Sequence, residues 1–276
     1  MGVTMERIRV YRLATLAVAS SLFVACSDST TAPGSRAFTV DSAFAELRGA
    51  EQSIGAARSM RGDFMFFGAP LLPFSVIPAQ ANCPYDASTQ HFVCPSVTRS
   101  GITTSVYYQL LDASNQPQSA FNPTTTAAIR TVNDVSGMLT TSGTTVSGSA
   151  PGTLTITGHG DHTLSGLLTD THVLNGSSTT TLDIDLKFND LPVNDTFTLA
   201  ETTTNLVLPK RGSSSPYPQS GSIALDFTSA ADHTLDSHVV ITFDGTNVAT
   251  IVSTENGVTL TCKVDLTGRT EPQCSG

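Results

Sequence analysis

Residues 235–266, LDSHVVITFDGTNVATIVSTENGVTLTCKVDL, decide the fold class. Leu235, Val239, Ile241 and Phe243 keep one side of the first segment apolar, while His238 and Thr242 fall on the other. A period of two describes a strand with one buried and one wet face. Asp244-Gly245 and Asn256-Gly257 are dipeptides that accept positive φ at both positions, which matches the twist of paired strands. The stretch therefore predicts a three-strand antiparallel meander. Its last strand places Cys262 on one face with Val258, Leu260, Val264 and Leu266.

Outward from this meander the same period recurs. Ile102, Thr104, Val106, Tyr108 and Leu110 alternate with polar neighbours. Leu182, Ile184, Leu186 and Phe188 alternate with Asp183, Asp185 and Lys187, and Ile223, Leu225 and Phe227 repeat the pattern. Asn175-Gly176 reads as the turn joining 162–173 to 178–188. Between 136 and 181 the chain is rich in Thr, Ser and Gly; β-branched Thr favours strands and its hydroxyl suits a wet face. No repeat of 20–50 residues is present, which argues against a solenoid. The expected fold is mainly β: a curved antiparallel sheet, closed as a barrel or folded as a sandwich, forming a single domain over residues 38–276.

One helix is expected, within Phe38 to Met60 and centred on about 40–60. Thr39, Asp41 and Ser42 offer N-cap oxygens, and Phe44, Leu47, Ile54 and Ala57 recur at helical spacings. Gly49 and Gly55 weaken it by about 1 kcal/mol each relative to Ala. Such a helix would pack on one face of the sheet or plug an open end. Residues 64–77 (FMFFGAPLLPFSVI) are apolar but broken by Pro70 and Pro73, which suits an irregular core-lining segment better than a central strand.

The amino-terminal segment carries Arg7, Arg9 and Arg12 against Glu6, followed by the uncharged run LATLAVASSLFVA over 13–25. A basic start, a short apolar run and a small residue at its end describe a secretory signal peptide. The run is shorter than the roughly 20 residues a membrane-spanning helix needs. Leu22-Phe23-Val24-Ala25-Cys26 resembles the lipobox of bacterial lipoproteins, with Phe23 standing where that family usually has leucine. The resemblance covers residues 1–27. It implies cleavage after residue 25, acylation of Cys26 and anchorage of the protein to a membrane, and Ser27 in the following position favours the outer membrane. More than one acyl chain is needed for stable anchoring, which a triacylated cysteine meets. Residues 26–37 would be the lipidated cysteine and a flexible tether; 27–36 (SDSTTAPGSR) reach at most roughly 35 Å when extended.

Without residues 1–25 the chain holds 11 basic and 22 acidic residues, a net charge of −11. That argues against nucleic acid as a partner and against adhesion through a basic patch. Setting Cys26 aside leaves Cys83, Cys94, Cys262 and Cys274, an even number in an exported chain. The local pairs Cys83–Cys94 and Cys262–Cys274 are expected, each closing a loop of about a dozen residues worth roughly 3 kcal/mol. A four-cysteine metal site is disfavoured, since no two of these residues have C-x-x-C spacing.

Sequence motifs for chemistry are weak. His159, Asp161 and His162 in GHGDH are ligand types that zinc accepts, and define a metal-dependent hydrolase as one alternative; solvated turn residues are the plainer reading. Asp170 and His172 share strand parity with His162 but lie about 30 Å further along a continuous strand. Asp232, His233, Asp236 and His238 form a second cluster, with His238 expected as an exposed cross-strand partner. Asp183, Asp185, Asn189, Asp190, Asn194 and Asp195 supply oxygen ligands of the kind calcium takes, without EF-hand spacing. Thr153, Thr155 and Thr157 make a hydroxyl face, and Tyr107 and Tyr108 alternate in a strand. No G-x-S-x-G elbow, dinucleotide fingerprint or P-loop occurs, no cofactor is implied, and the chain has no Trp for a sugar-stacking platform. The expected function is therefore a membrane-anchored envelope lipoprotein with a non-enzymatic binding or structural domain. A carrier of an apolar ligand in a sheet-lined cavity is the other alternative.

Overall fold

The computed structural model describes residues 83–141, 144–145, 148–149, 151–188, 191–208, 217–231, 236–255, 257–266 and 273–275. The expected signal, tether, helix and 64–77 segment lie outside these residues. The strands are, in chain order, β1 (Tyr85–Asp86), β2 (His91–Val93), β3 (Val97–Arg99), β4 (Ile102–Asp112), β5 (Pro117–Gln118) and β6 (Thr126–Thr141). There follow β7 (Thr144–Thr145), β8 (Gly148–Ser149), β9 (Gly152–Ser165), β10 (Val173–Phe188) and β11 (Leu191–Val207). The chain continues with β12 (Ser220–Ser229), β13 (Ser237–Phe243), β14 (Val248–Glu255), β15 (Val258–Asp265) and β16 (Gln273–Ser275).

Fourteen strands form one antiparallel sheet in the order β1-β2-β4-β6-β9-β10-β11-β12-β13-β14-β15-β16, with β3 and β5 also paired to β4. β7 and β8 pair separately. Sequence neighbours are thus mostly sheet neighbours, as short hairpin connections dictate. The meander expected over 235–266 is β13-β14-β15, with Val239↔Ser253 and Ser253↔Leu260 in register. Among the described residues no strand pairs the first edge to the last. The sheet is open, and the expectation of a closed barrel is not met.

Period-two alternation gives the sheet an inner face of buried side chains. Leu110, Ile129, Leu164, Leu174 and Leu206 are in register across five strands, each 3% exposed or less. Burial of one such side chain contributes roughly 1.5–3 kcal/mol. A single apolar cluster continues through Ile223, Val239, Ile241 and Ala249 to Cys262, Val264 and Leu266. The two disulfides are Cys83–Cys94 and Cys262–Cys274, the expected pairing. They sit at opposite edges: the first brackets β1 and β2, and the second joins partners on β15 and β16.

Asn175-Gly176 is not the expected turn. The chain reverses earlier, at 166–172, where Gly166 has φ 82°. Asn175 and Gly176 lie inside β10, at a register shift between Leu174 and Gly176. The Asn205 amide, at a residue with φ 47°, donates to Asn175 Oδ1 at 2.7 Å across the irregularity. The bulge is on β11, where Thr204 and Asn205 together face Asn175 and Asn205 takes the positive φ, with Asn175 as the acceptor across it. Gly176 has a steric reason: a Cβ there would stand 2.4 Å from the Asp161 carbonyl oxygen and 2.4 Å from His162 Cδ2. Gly176→Val is accordingly expected to cost about 1–3 kcal/mol by overpacking against backbone that cannot retreat. Urea unfolding checks this; an unchanged midpoint with an unchanged m-value would refute it.

Candidate functional site

The GHGDH residues separate because β9 is a strand and not a turn. Successive side chains point to opposite faces, so His159 and Asp161 lie on the outer face while His162, 1% exposed, lies on the inner one. On the outer face His159 Nδ1 is 2.8 Å from Asp134 Oδ1, its partner in register on β6. Asp161 takes a bidentate interaction from Arg130, with Nε donating at 2.9 Å and 3.1 Å to its two oxygens. The Arg130 hydrogen bonds hold the Asp161 carboxyl below its usual range. Tyr107 on β4 shares this surface; partial burial, then the carboxylates of Asp134 and Asp161, raise its phenol above the ordinary value. The sheet does not bring His159, Asp161 and His162 together, and among the described residues no group of three His, Cys, Asp or Glu is placed to hold a metal.

Asp170 and His172 fall in the connection between β9 and β10. His238 is exposed, with Nδ1 2.6 Å from Asp226 Oδ1 on the neighbouring strand. Asp236 Oδ1 accepts from the Ser229 amide at 2.9 Å; Asp232 and His233 lie outside the described residues. Of the acidic group, Asp183, Asp185 and Asn194 border a shallow cleft of about 400 Å³ with Thr153, Thr155 and Asp195. Asp195 is engaged by protein donors, accepting from Ser229 Oγ at 2.6 Å and from the amides of Thr196 and Ala231 at 2.8 and 2.9 Å. Asp183 Oδ1 accepts from Thr196 Oγ1 at 2.7 Å. Asn189 and Asp190 are outside the described residues. The hydroxyl face extends beyond β9: Thr98, Thr103, Ser136, Thr157, Thr181, Thr198 and Thr228 are successive partners across seven strands. Small hydroxyl side chains in such a row suit a wet β surface.

The more unusual chemistry is on the inner face. Thr131, Asn133, His162, Ser178, Glu201 and Thr203 are all buried, at 2%, 3%, 1%, 7%, 3% and 3% exposure. They form two adjacent rows. In one, Tyr108, Thr131, His162, Gly176 and Thr203 are successive partners. In the other, Val106, Asn133, Gly160, Ser178 and Glu201 are. Thr203 Oγ1 donates to Glu201 Oε1 at 3.2 Å. Burial pushes the His162 imidazole down to about 4, against the opposing pull of the Asp161 carboxylate, so the ring is neutral near pH 7. Thr131 Oγ1 and Asn133 Oδ1 are enclosed and make no hydrogen bond among the described residues. A neutral imidazole, two hydroxyls and an amide in a low-dielectric setting can bind a polar group strongly.

This cluster was missed in the sequence, yet it leaves a trace there. On β9 the inner positions read Leu154, Ile156, Gly158, Gly160, His162 and Leu164, and on β10 Gly176, Ser178, Thr180, Leu182 and Ile184. Glycine and polar residues interrupt an apolar face at matching depths on neighbouring strands. The chain matches no protein-family model, no curated protein and no solved structure.

Proposed function

We propose that this chain is an exported protein, anchored to a membrane through lipid on Cys26, whose β-sheet domain is a non-enzymatic binding or structural module. The observation that carries this reading is the pair of disulfides, one at each edge of the sheet, since such bridges persist in oxidising compartments. The basic start, apolar run and Cys26 of the amino terminus supply the export and anchoring signals. Ser27 favours the outer membrane. Fractionation tests the anchor: the parent is expected in the membrane pellet, and Cys26→Ala in the soluble envelope fraction. Retention of Cys26→Ala with the membranes would remove the lipid from the account.

A second reading, carriage of an apolar ligand, is favoured by the inner face. A strongly curved open sheet can wrap a ligand. Inner-face Val135, Leu182 and Phe197 are only partly buried, and Phe197 stacks on Phe227 at 5.4 Å. Native mass spectrometry of the chain extracted from envelopes is expected to show a co-purifying hydrophobic molecule. A spectrum holding only the unliganded mass counts against carriage.

A further inference from the structure

We infer that the inner-face rows of β6, β9 and β10 form a head-group site for an uncharged amphiphile, whose hydroxyl or carbonyl is held by Thr131, Asn133 and His162. This rests on the carrier reading and adds to it the chemistry of the ligand. Two observations point to a ligand here. Thr131 Oγ1 and Asn133 Oδ1 are enclosed, on residues 2% and 3% exposed, and make no hydrogen bond among the described residues. Enclosed polar atoms of this kind are costly, and native proteins satisfy them with a water or a bound group. Beside them, Gly160 is the register partner of Asn133, so β9 contributes no side chain between Asn133 and Ser178. Gly158 does the same beside Val135. An otherwise leucine-rich face thus has a glycine floor walled by Thr131, Asn133, His162 and Ser178.

The same rows define what the ligand looks like. His162 is neutral near pH 7, and among the described residues Glu201 is the nearest acid on this face, two strands across and two residues along, roughly 12 Å between backbones. The lysines and arginines of the described residues, Arg99, Arg130, Lys187 and Lys263, are all exposed. Among the described residues a carboxylate or phosphate head would therefore enter a low-dielectric site with no cation to meet it, at a high cost. A hydroxyl or carbonyl faces no such penalty. It accepts from the imidazole N–H and the Thr131 hydroxyl, and an alcohol also donates to Asn133 Oδ1. Along the strands from this floor the next inner-face rows hold Val135, Leu199, Ile156, Leu182 and Phe197. These rows give a hydrocarbon tail an apolar path, open at Val135, Leu182 and Phe197.

The test uses the full chain in lipid nanodiscs and a photoactivatable 1-hexadecanol bearing a diazirine on its alkyl chain, with cross-links mapped by peptide mass spectrometry. Cross-links are expected on β6, β9 and β10. Unlabelled 1-hexadecanol is expected to compete about tenfold better than hexadecane or palmitate, the worth of roughly one well-made hydrogen bond. Asn133→Leu and Thr131→Val, which remove unpartnered polar atoms from a buried site, are expected to fold and to abolish that preference while still cross-linking. Cross-linking no greater than in empty nanodiscs would sink carriage itself. Cross-linking that hexadecane competes equally well would leave carriage standing and overturn the head-group site. Equal competition by palmitate would overturn the uncharged head. Preference unchanged in both variants would show that these two residues do not hold it.

Discussion

Replacing Cys83, Cys94, Cys262 and Cys274 together by serine is expected to remove about 6 kcal/mol of stability, roughly 3 kcal/mol for each loop of 11 or 12 residues. For a domain of ordinary stability that is a large fraction of the total. The effect should not be spread evenly. In an open sheet the outermost strands have a partner on one side only, and here those strands are short: β1 and β2 share two register pairs, β15 and β16 three. Neither pairing has enough buried surface to persist without its covalent bridge. Cys262 is itself 1% exposed and part of the inner apolar cluster, so serine there also places a hydroxyl in the core. Loss of the bridge would leave the eight-residue β15 as a bare edge, a template for intermolecular pairing. Urea unfolding with and without reductant measures the total, and hydrogen exchange locates it. Protection should be lost first at residues 85–93, 258–265 and 273–275. A reduced protein with the unfolding midpoint of the oxidised one would show that the bridges do not hold the edges.

The legibility of the sequence followed the physics of each signal. Alternation is a strong signal because one register slip would expose a whole strand's apolar side, and so the β13-β14-β15 meander and the β4, β10 and β12 strands could be read directly. The cysteine pairs were legible because an exported chain with an even count and two local spacings leaves few alternatives. Closure was not legible, since whether the first and last strands meet depends on curvature accumulated over twelve strands and on no single residue. The misplaced turn at Asn175-Gly176 has a local cause. Asn-Gly signals a turn because both residues tolerate positive φ, but here neither takes it: the positive φ falls on Gly166, at the true reversal, and on Asn205 across the sheet. The site candidates suffered from the opposite problem. His159, Asp161 and His162 are close in sequence, but in a strand adjacency means opposite faces, with His159 and Asp161 meeting Asp134 and Arg130 while His162 turns inward. The inner cluster of Thr131, Asn133, His162, Ser178 and Glu201 draws on four strands, and only pairing register brings those residues together.

His162 should make the domain lose stability as the pH falls from neutrality, before the carboxylates contribute. Its imidazole is 1% exposed and burial lowers its pKa from 6.5 to about 4. The unfolded chain, with a pKa near 6.5, therefore takes up a proton at a pH where the folded chain does not. Between those two values the unfolded state binds more protons, so stability rises with pH and falls on acidification. The cost is absent above about 6.5 and fully expressed below about 4, where it reaches roughly 3 kcal/mol. Asp161 behaves in the opposite window. Arg130 lowers its pKa below 3.8, so its contribution is lost only at more acidic pH and does not obscure the histidine. The groups around His162 on its own face are the Tyr108 and Thr131 side of its row, and Ser178, Glu201 and Thr203 beyond Gly176. The charge that opposes the trend is that of Asp161, the neighbouring residue on β9, which favours the protonated ring. His162→Gln keeps a hydrogen-bonding side chain of similar size without a proton to gain. The difference in unfolding free energy between parent and His162→Gln, followed from pH 7 to pH 4.5, should change by about 2 kcal/mol, with the parent losing more. Parallel curves would mean that the ring is solvated or already charged in the folded protein. The neutral imidazole required for the head-group site would then be lost as well, so a thermodynamic titration of one residue bears on the ligand as directly as on the fold.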